Sequence, residues 1–369
     1  MDFFDYLAAF LLFFLAIRFL VTVFNFFTWP ILYRKKIQSD STSTVSILIP
    51  ARNEEKNIKS LLKNTLEHIH EANVIEILVL DDHSVDDTSK IVESFALKNP
   101  KVQLLKSKTL PLEWLGKNWA CHQLAEAAKG EYMMFLDADV EISSNLIPMA
   151  LQRVKKYDLS LLSLFPEQKM LSFGEKLVVP LMHFLLLNLL PIRLVRTTKD
   201  ASLAAANGQF MFFKSKDYHK YKFHELVKNN VLDDVNIMKN VKKLELKGEA
   251  LLGNNLISCR MYSDGNEAFK GFSKNLFPGF GRSILGMFAY FLLIFWLWLP
   301  VFIFSKIYFS ISAILLILIS RAMISKMANQ SVWTNLWLHP FQMCAYTAIG
   351  LNSMYLHLNN KVSWKGRKV

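Results

Sequence analysis

The chain opens on an apolar run from Phe3 to Thr28 whose only charged residues are Asp5 and Arg18. About twenty such residues, at a helical rise near 1.5 Å each, cross the hydrocarbon core of a bilayer, so this run predicts a spanning helix. The far end has a similar pattern. Ser283 to Ser305 contains no charged residue and predicts a second spanning helix, with Trp296 and Trp298 near its end; Ile307 to Ser320 is another apolar run, closed by Arg321 and Lys326. From Met327 to Asn360 there is again no Asp, Glu, Lys or Arg, but Pro340 and several polar residues argue against one uninterrupted helix. A fourteen-residue apolar run, Leu177 to Leu190, holds Pro180 and His183; its length suits a membrane-surface or core helix rather than a span.

Between the ends the periodicity changes. VSILIP from Val45 reads as a strand, Ile58, Leu61, Leu62, Thr65 and Leu66 form an apolar-periodic helical run, and IEILVL ends in Asp81 and Asp82. A helix near Thr88 to Leu97, a strand near Val102, a helix from Trp119 to Ala128 and the strand YMMFLDAD continue the alternation. Such alternation predicts an α/β fold with a mostly parallel central sheet, whose ligands bind beyond the carboxyl ends of the strands. Neither GxGxxG nor GxxxxGK[ST] occurs, which argues against a dinucleotide fold or a P-loop.

Charge locates these parts. Basic residues exceed acidic ones by 12 among 369 residues, and the excess divides into −1 for residues 1–33, +6 for 34–282 and +7 for an acid-free stretch after Arg282. More than half of it flanks apolar runs, and no basic stripe with interleaved aromatics occurs, so no nucleic-acid partner is expected. No basic region precedes Phe3, whereas Arg34, Lys35 and Lys36 follow the first run, which reads as an uncleaved anchor. The positive-inside rule then puts the middle of the chain on the cytoplasmic side of the cell membrane in a multi-pass arrangement. Three C-terminal crossings would put the basic tail outside, against that rule, so either one segment is re-entrant or the tail breaks it. The expected organisation is an anchor at 1–33, a catalytic domain at 34–282 with an interfacial helix at 177–190, membrane helices at 283–360, and a basic tail at 361–369 whose Trp364 to Arg367 suit an interfacial anchor. Cys121, Cys259 and Cys344 match no disulfide or zinc spacing, and the nine histidines form no metal pattern.

Three polar clusters fall at strand ends. Pro50, Ala51, Arg52, Asn53, Glu54 and Glu55 follow the first strand, and by themselves suit helix capping equally well. Asp81 and Asp82 end the second within DDHSVDDT, where His83 reads as a turn residue. Asp137 and Asp139, with Ala138 between them, follow the fourth; two such carboxylates can converge on one hard cation, Mg²⁺ or Mn²⁺. The order of these clusters resembles the nucleotide-sugar-binding half of family 2 glycosyltransferases, over roughly Val45 to Lys274. That resemblance implies a GT-A fold, a nucleotide pocket at Pro50, Ala51, Arg52, Glu54 and Asp82, and metal and diphosphate binding at Asp137 and Asp139. It also implies a base in the acidic pair Asp233-Asp234, where Asp234 matches the family's second acid and Asp233 departs from the usual Glu.

LGKNWA at Leu115 to Ala120, NGQF at Asn207 to Phe210, RMY at Arg260 to Tyr262 and WKGR at Trp364 to Arg367 look like a membrane-bound subgroup that glycosylates carotenoid or hopanoid-type lipids. QxxRW, the motif of processive members, is absent. Lys117, after a glycine turn, can meet a diphosphate as a point charge; Gln209 and Arg260 are candidates for donor sugar, acceptor or diphosphate. The expected activity is inverting transfer of a hexose from a nucleotide sugar, a UDP-sugar by resemblance, to a lipid acceptor. A polyprenyl-phosphate acceptor on the same fold, or a non-enzymatic membrane scaffold, are the competing readings.

Overall fold

A computed structural model describes residues 2–33, 42–364 and 367–368. The basic cluster at Arg34 to Lys36 and, in the tail, Lys365, Gly366, Val369 and the side chains of Trp364 and Arg367 lie outside the described residues. The chain forms two compact units: a sheet unit of Pro30–Lys169 and Arg193–Arg260, and a helical unit of Met1–Trp29, Met170–Ile192 and Met261–Lys368.

The sheet unit contains β1 (Thr44–Ala51), β2 (Asn73–Asp81), β3 (Val102–Lys106), β4 (Tyr132–Leu136), β5 (Val140–Ile142), β6 (Leu161–Phe165), β7 (Glu167–Gln168), β8 (Phe210–Lys214), β9 (Gly248–Leu252) and β10 (Ile257–Cys259). Seven strands form the main sheet in the order β3-β2-β1-β4-β8-β6-β9. Only β8 runs against its neighbours, pairing antiparallel with β4 and β6. The sheet is therefore mostly parallel, as the alternating pattern predicts. β5, β10 and β7 make a smaller sheet beside it. The central strand β1 is apolar and buried from Val45 to Ile49 apart from Ser46, which donates to Glu76 at 2.6 Å and accepts the Gly130 amide at 2.8 Å. A Cβ on Gly130 would lie 2.6 Å from the Ser46 amide nitrogen, so this close backbone approach requires glycine. The Ile58–His68 helix buries Ile58, Leu61, Leu62 and Thr65 of the expected run and leaves Leu66 half-buried.

Three helices are long and apolar enough to cross a membrane: Phe3–Thr28, Ile284–Phe304 and Ile307–Met327. Their side chains are arranged opposite to those of a water-soluble helix. On Phe3–Thr28 the buried stripe includes Asp5, Arg18, Thr22 and Asn25, while Phe3, Phe10, Phe13, Leu20 and Phe27 face outward. Apolar-out and polar-in is the pattern that lipid as solvent selects. Ile284–Phe304 is not regular throughout: Leu292–Trp296 is a π turn, closed by the Leu297 amide on Leu292 O at 3.0 Å, just before Pro300. A proline has no amide to donate, and such turns accommodate the break.

Residues 332–358 correct the expectation from Pro340. Val332–Leu358 is one helix of 27 residues with Pro340 inside it. The proline removes a single intrahelical bond, and the packed helix on both sides outweighs that loss. The apolar run at 177–190 resolves as a helix from Pro180 to Leu189 in the core of the helical unit, burying Leu181, His183, Phe184, Leu187 and Asn188. Asn25 donates to the carbonyls of Leu187 and Leu190 at 2.9 and 2.8 Å and accepts the Ile192 amide, which ties this segment to the first helix.

Candidate active site

The carboxyl ends of β2, β1 and β4 lie side by side, because these three strands are parallel neighbours. β8 runs the other way, so its beginning, not its end, reaches the same edge: Leu136 is paired with Phe210. Residues 51–54, 81–84, 137–139 and 207–209 are thereby brought together from four separate stretches of sequence.

The first two clusters are latched to each other. Arg52 Nη1 donates to the Asp82 carbonyl at 2.6 Å, the Asn53 amide to Ser84 Oγ at 3.0 Å, the Glu54 amide to Thr88 Oγ1 at 2.8 Å, and the Val85 amide to Asn53 Oδ1 at 3.0 Å. Asn53 and His83 have positive φ, 51° and 56°, as tight loop reversals require. His83 is exposed, in keeping with a turn role. The two acids of the DD pair have different surroundings. Asp81 accepts the Ser84 amide at 3.0 Å and Ser89 Oγ at 2.6 Å. Burial pushes its pKa up, but these hydrogen bonds and the Lys106 ammonium outweigh burial and hold it below the ordinary value. Asp81 thus organises the loop. Asp82 is buried at the loop's inner side, and its amide donates to the Ala51 carbonyl at 2.8 Å. Pro50 and Ala51 close β1 beneath it.

Lys117, at the start of the Gly116–Ala127 helix, holds the Asp137 carboxylate, with Nζ 2.7 Å from Oδ1 and 2.8 Å from Oδ2. Burial opposes the Lys117 charge, but Asp137 and Asp233 together more than restore it, and its pKa rises. Ala138 is buried beneath the loop. Among the described residues Asp139 forms no ion pair, although the Lys117 charge acts on it weakly. Its neighbours are Gln209, whose Nε2 lies 3.3 Å from Oδ2, and the Cys259 thiol, to which Gln209 Nε2 also donates at 2.8 Å. Burial, and then the Asp137 carboxylate, push the Asp139 pKa up to about 6.

Asp233 and Asp234 begin the Asp233–Lys243 helix. Asp234 accepts the Gly208 amide at 2.9 Å and the Val235 amide at 2.7 Å. Burial, and then Asp233, raise its pKa to about 7, which makes it a carboxyl able to take up a proton near neutrality. Gly208 separates the two halves of the site: a Cβ built there would lie 3.4 Å from Lys117 Nζ and 3.6 Å from Asp234 Oδ2. The missing side chain leaves open the space between the lysine and the acid.

The described residues contain no group of three or more His, Cys, Asp and Glu that could close around a metal. Asp137 and Asp139 supply oxygen donors only, and in the second burial and Asp137 outweigh the Cys259 thiol and the Lys117 charge in favour of the protonated form. That donor set fits a hard divalent cation that fills its remaining positions with water and phosphate oxygens. Arg260, just after β10, is exposed. One participant carries no signal in the sequence: Cys259 lies 120 residues beyond Asp139 and belongs to no motif. Gly208 falls within NGQF, but its role, the space it leaves, has no chemical signature there.

The family model described as "Glycosyl transferase family 2" matches residues 46–218. Among curated proteins, the chain is 25% identical over 256 residues to a 4,4'-diaponeurosporenoate glycosyltransferase of Staphylococcus haemolyticus, a match covering 67% of this chain and 64% of that protein. It is 32% identical over 121 residues to a beta-monoglucosyldiacylglycerol synthase of Nostoc, covering 33% of this chain and 25% of that one. Among solved structures, a mannosyltransferase from Pyrobaculum calidifontis in complex with GDP-Man and Mn²⁺ superposes with a TM-score of 0.57 at 16% identity, covering 97% of this chain and 100% of the other. The chain thus spans about two thirds of the first relative and a quarter of the second. Its sheet unit has the GT-A fold, and its residues 46–218 are similar to glycosyl transferase family 2.

Proposed function

We propose that the protein is an inverting glycosyltransferase, which moves a hexose from a nucleoside diphosphate sugar, a UDP-sugar in the first instance, to a lipid acceptor at the membrane. The observation that carries this reading is the Asp234 carboxyl: raised to about 7, fixed by two backbone amides, and separated from Lys117 by the gap at Gly208. Arg52, Glu54 and Asp82 would line the nucleoside side, with Pro50 and Ala51 beneath it. Lys117 would exchange Asp137 for the diphosphate, and Arg260 and Gln209 are candidates for the diphosphate and the donor sugar. Asp137 and Asp139 would hold a divalent cation, which when bound supplies positive charge against the departing diphosphate.

In the transfer itself an acceptor oxygen bonds to the anomeric carbon as the bond from that carbon to the diphosphate breaks, its electron pair leaving with the diphosphate. Asp234 takes the acceptor's proton. One displacement inverts the anomeric centre. Asp233 sits beside the base and raises its pKa.

A lipid acceptor is supported by the three helices able to cross a membrane and by the acceptors that the two relatives' names contain. The cytoplasmic placement of the sheet unit rests on the positive-inside rule alone. The test is to incubate membranes holding the full chain with a panel of labelled nucleotide sugars, extract the lipids and identify products by mass spectrometry. A glycosylated lipid is expected, formed faster as pH rises through about 7 because Asp234 must be ionised, and lost by roughly 10²-fold or more in Asp234→Asn. Sugar transfer to water-soluble acceptors alone would sink the lipid assignment. Full activity of Asp234→Asn on a polyprenyl phosphate would favour an acceptor that needs no base.

A further inference from the structure

The Phe3–Thr28 and Ile307–Met327 helices run side by side in the same direction. At their beginnings the Lys306 amide donates to Asp5 Oδ1 at 3.1 Å and the Lys306 ammonium lies 3.4 Å from Oδ2; farther along, Ala8, Leu11 and Leu15 pack with Phe309 and Ala313. Arg18 comes 13 residues after Asp5, and Arg321 comes 15 after Lys306. At a helical rise near 1.5 Å, both therefore sit at one level, about 20 Å from that end.

Both arginines are buried, Arg321 completely and Arg18 with 5% exposed. Their guanidinium carbons lie 4.8 and 5.5 Å from the centre of the same ring, Phe184, and the His339 ring is 5.6 Å from it. Arg18 also meets the rings of Phe14 and Tyr290. Arg321 Nη2 donates to Asn335 Oδ1 at 3.3 Å and to Gln342 Oε1. Among the described residues, Nε and Nη1 of Arg321, Nε of Arg18, Nδ1 of His339 and the Tyr290 hydroxyl have no hydrogen-bond partner.

The helical unit contains few acids to answer these charges, and each is engaged elsewhere. Asp2 accepts the Asp5 amide, Asp5 pairs with Lys306, Glu175 completes a capping box with Ser172, Asp264 caps the Gly265–Gly279 helix, and Glu267 accepts from Ser263. Residues 283–368 contain no acid at all. A guanidinium keeps its charge when buried, and leaving one without a counter-ion is strongly unfavourable. Two at one level in an apolar bundle, both short of hydrogen-bond acceptors, leave a need for negative charge from outside the chain.

We propose that Arg18 and Arg321, with His339 and Tyr290 beside them, form an intramembrane site for the anionic head of a lipid, a carboxylate or a phosphate. The forked donors of arginine suit either group, and the surrounding rings suit the apolar chain attached to it. This site does not depend on the glycosyl-transfer reading.

The test uses the full chain purified in neutral detergent, with equilibrium binding of oleate and of dioleoyl phosphatidic acid, and of oleyl alcohol and dioleoylglycerol as uncharged counterparts. About one equivalent of an anionic lipid should bind saturably and neither neutral one should; whichever of oleate and phosphatidic acid binds tells carboxylate from phosphate. Arg321→Gln and Arg18→Gln should each weaken binding by roughly tenfold, with Arg18→Lys retaining part of it. Arg18→Gln gives the answer alone if Arg321→Gln does not fold. Equal binding by wild type and Arg18→Gln, or no preference for anionic over neutral lipid, would overturn the proposal.

Discussion

Asp139 carries a raised pKa of about 6, caused first by burial and then by Asp137, and this has a cost that depends on pH. The unfolded chain releases that proton near 3.8, so the folded state holds it more tightly. The stability that comes from this tighter hold is full below about pH 4 and is lost as pH rises through about 6. Asp139→Asn has no such proton to lose. Without divalent cation it should melt above wild type at pH 7.5, by roughly 1–2 kcal/mol or a few degrees, with the gap closing towards pH 4. Added Mn²⁺ should raise the wild-type melting temperature and leave the variant unchanged. A scanning-calorimetry series over pH with and without Mn²⁺ decides it: a variant that melts below wild type at pH 7.5 would remove the electrostatic strain assigned to this acid.

At the scale of elements, the latch between the two loops makes its own prediction. The Glu54 amide donates to Thr88 Oγ1, so the loop after β1 depends on the first residue of a helix after β2. Thr88→Val keeps the shape and removes the acceptor, at a cost of roughly 0.5–1.5 kcal/mol. Donor KM should rise about three- to tenfold with kcat nearly unchanged. An equal loss in kcat would mean that the latch positions reacting atoms rather than the donor. Elements of this kind separate what the sequence reveals from what it hides. Ile58, Leu61, Leu62 and Thr65 repeat with the helical period, and VSILIP and IEILVL are short apolar runs bounded by polar clusters, so local pattern suffices to locate them. The strand-end acids are legible for the same reason: each follows its strand directly. The reversal of β8 is not legible, because Phe210–Lys214 has the same composition whichever way it runs. That reversal alone brings Gly208 and Gln209 to the carboxyl edge. Pro340 misleads for the opposite reason, since its local rule is real but the packing of 27 helical residues outweighs it.

For the whole molecule, apolar area rather than charge determines its solvent. The excess of 12 positive charges would suggest electrostatic attachment, yet the three long apolar helices turn their phenylalanines and leucines outward. About 1 M NaCl shrinks the screening length to about 3 Å and should leave the protein in the membrane pellet, with neutral detergent needed to release it. Release by salt alone, followed on immunoblots of pellet and supernatant, would contradict membrane-spanning helices.

The buried polar stripe of Phe3–Thr28 also bears on how the molecule is made. This helix is synthesised before the segments it packs against, and its outward face is apolar enough to suit lipid. The partners of its inward face come much later: Asn25 is satisfied by the carbonyls of Leu187 and Leu190, Thr22 by Asn188, and Asp5 by Lys306. Asn25 and Thr22 therefore wait some 160 residues of synthesis for partners in the middle of the chain, and Asp5 some 300 for Lys306. The N-terminal segment is inserted early and packed late, so a ribosome that stalls before Lys306 leaves behind an anchored but unassembled chain of the kind that membrane quality control removes.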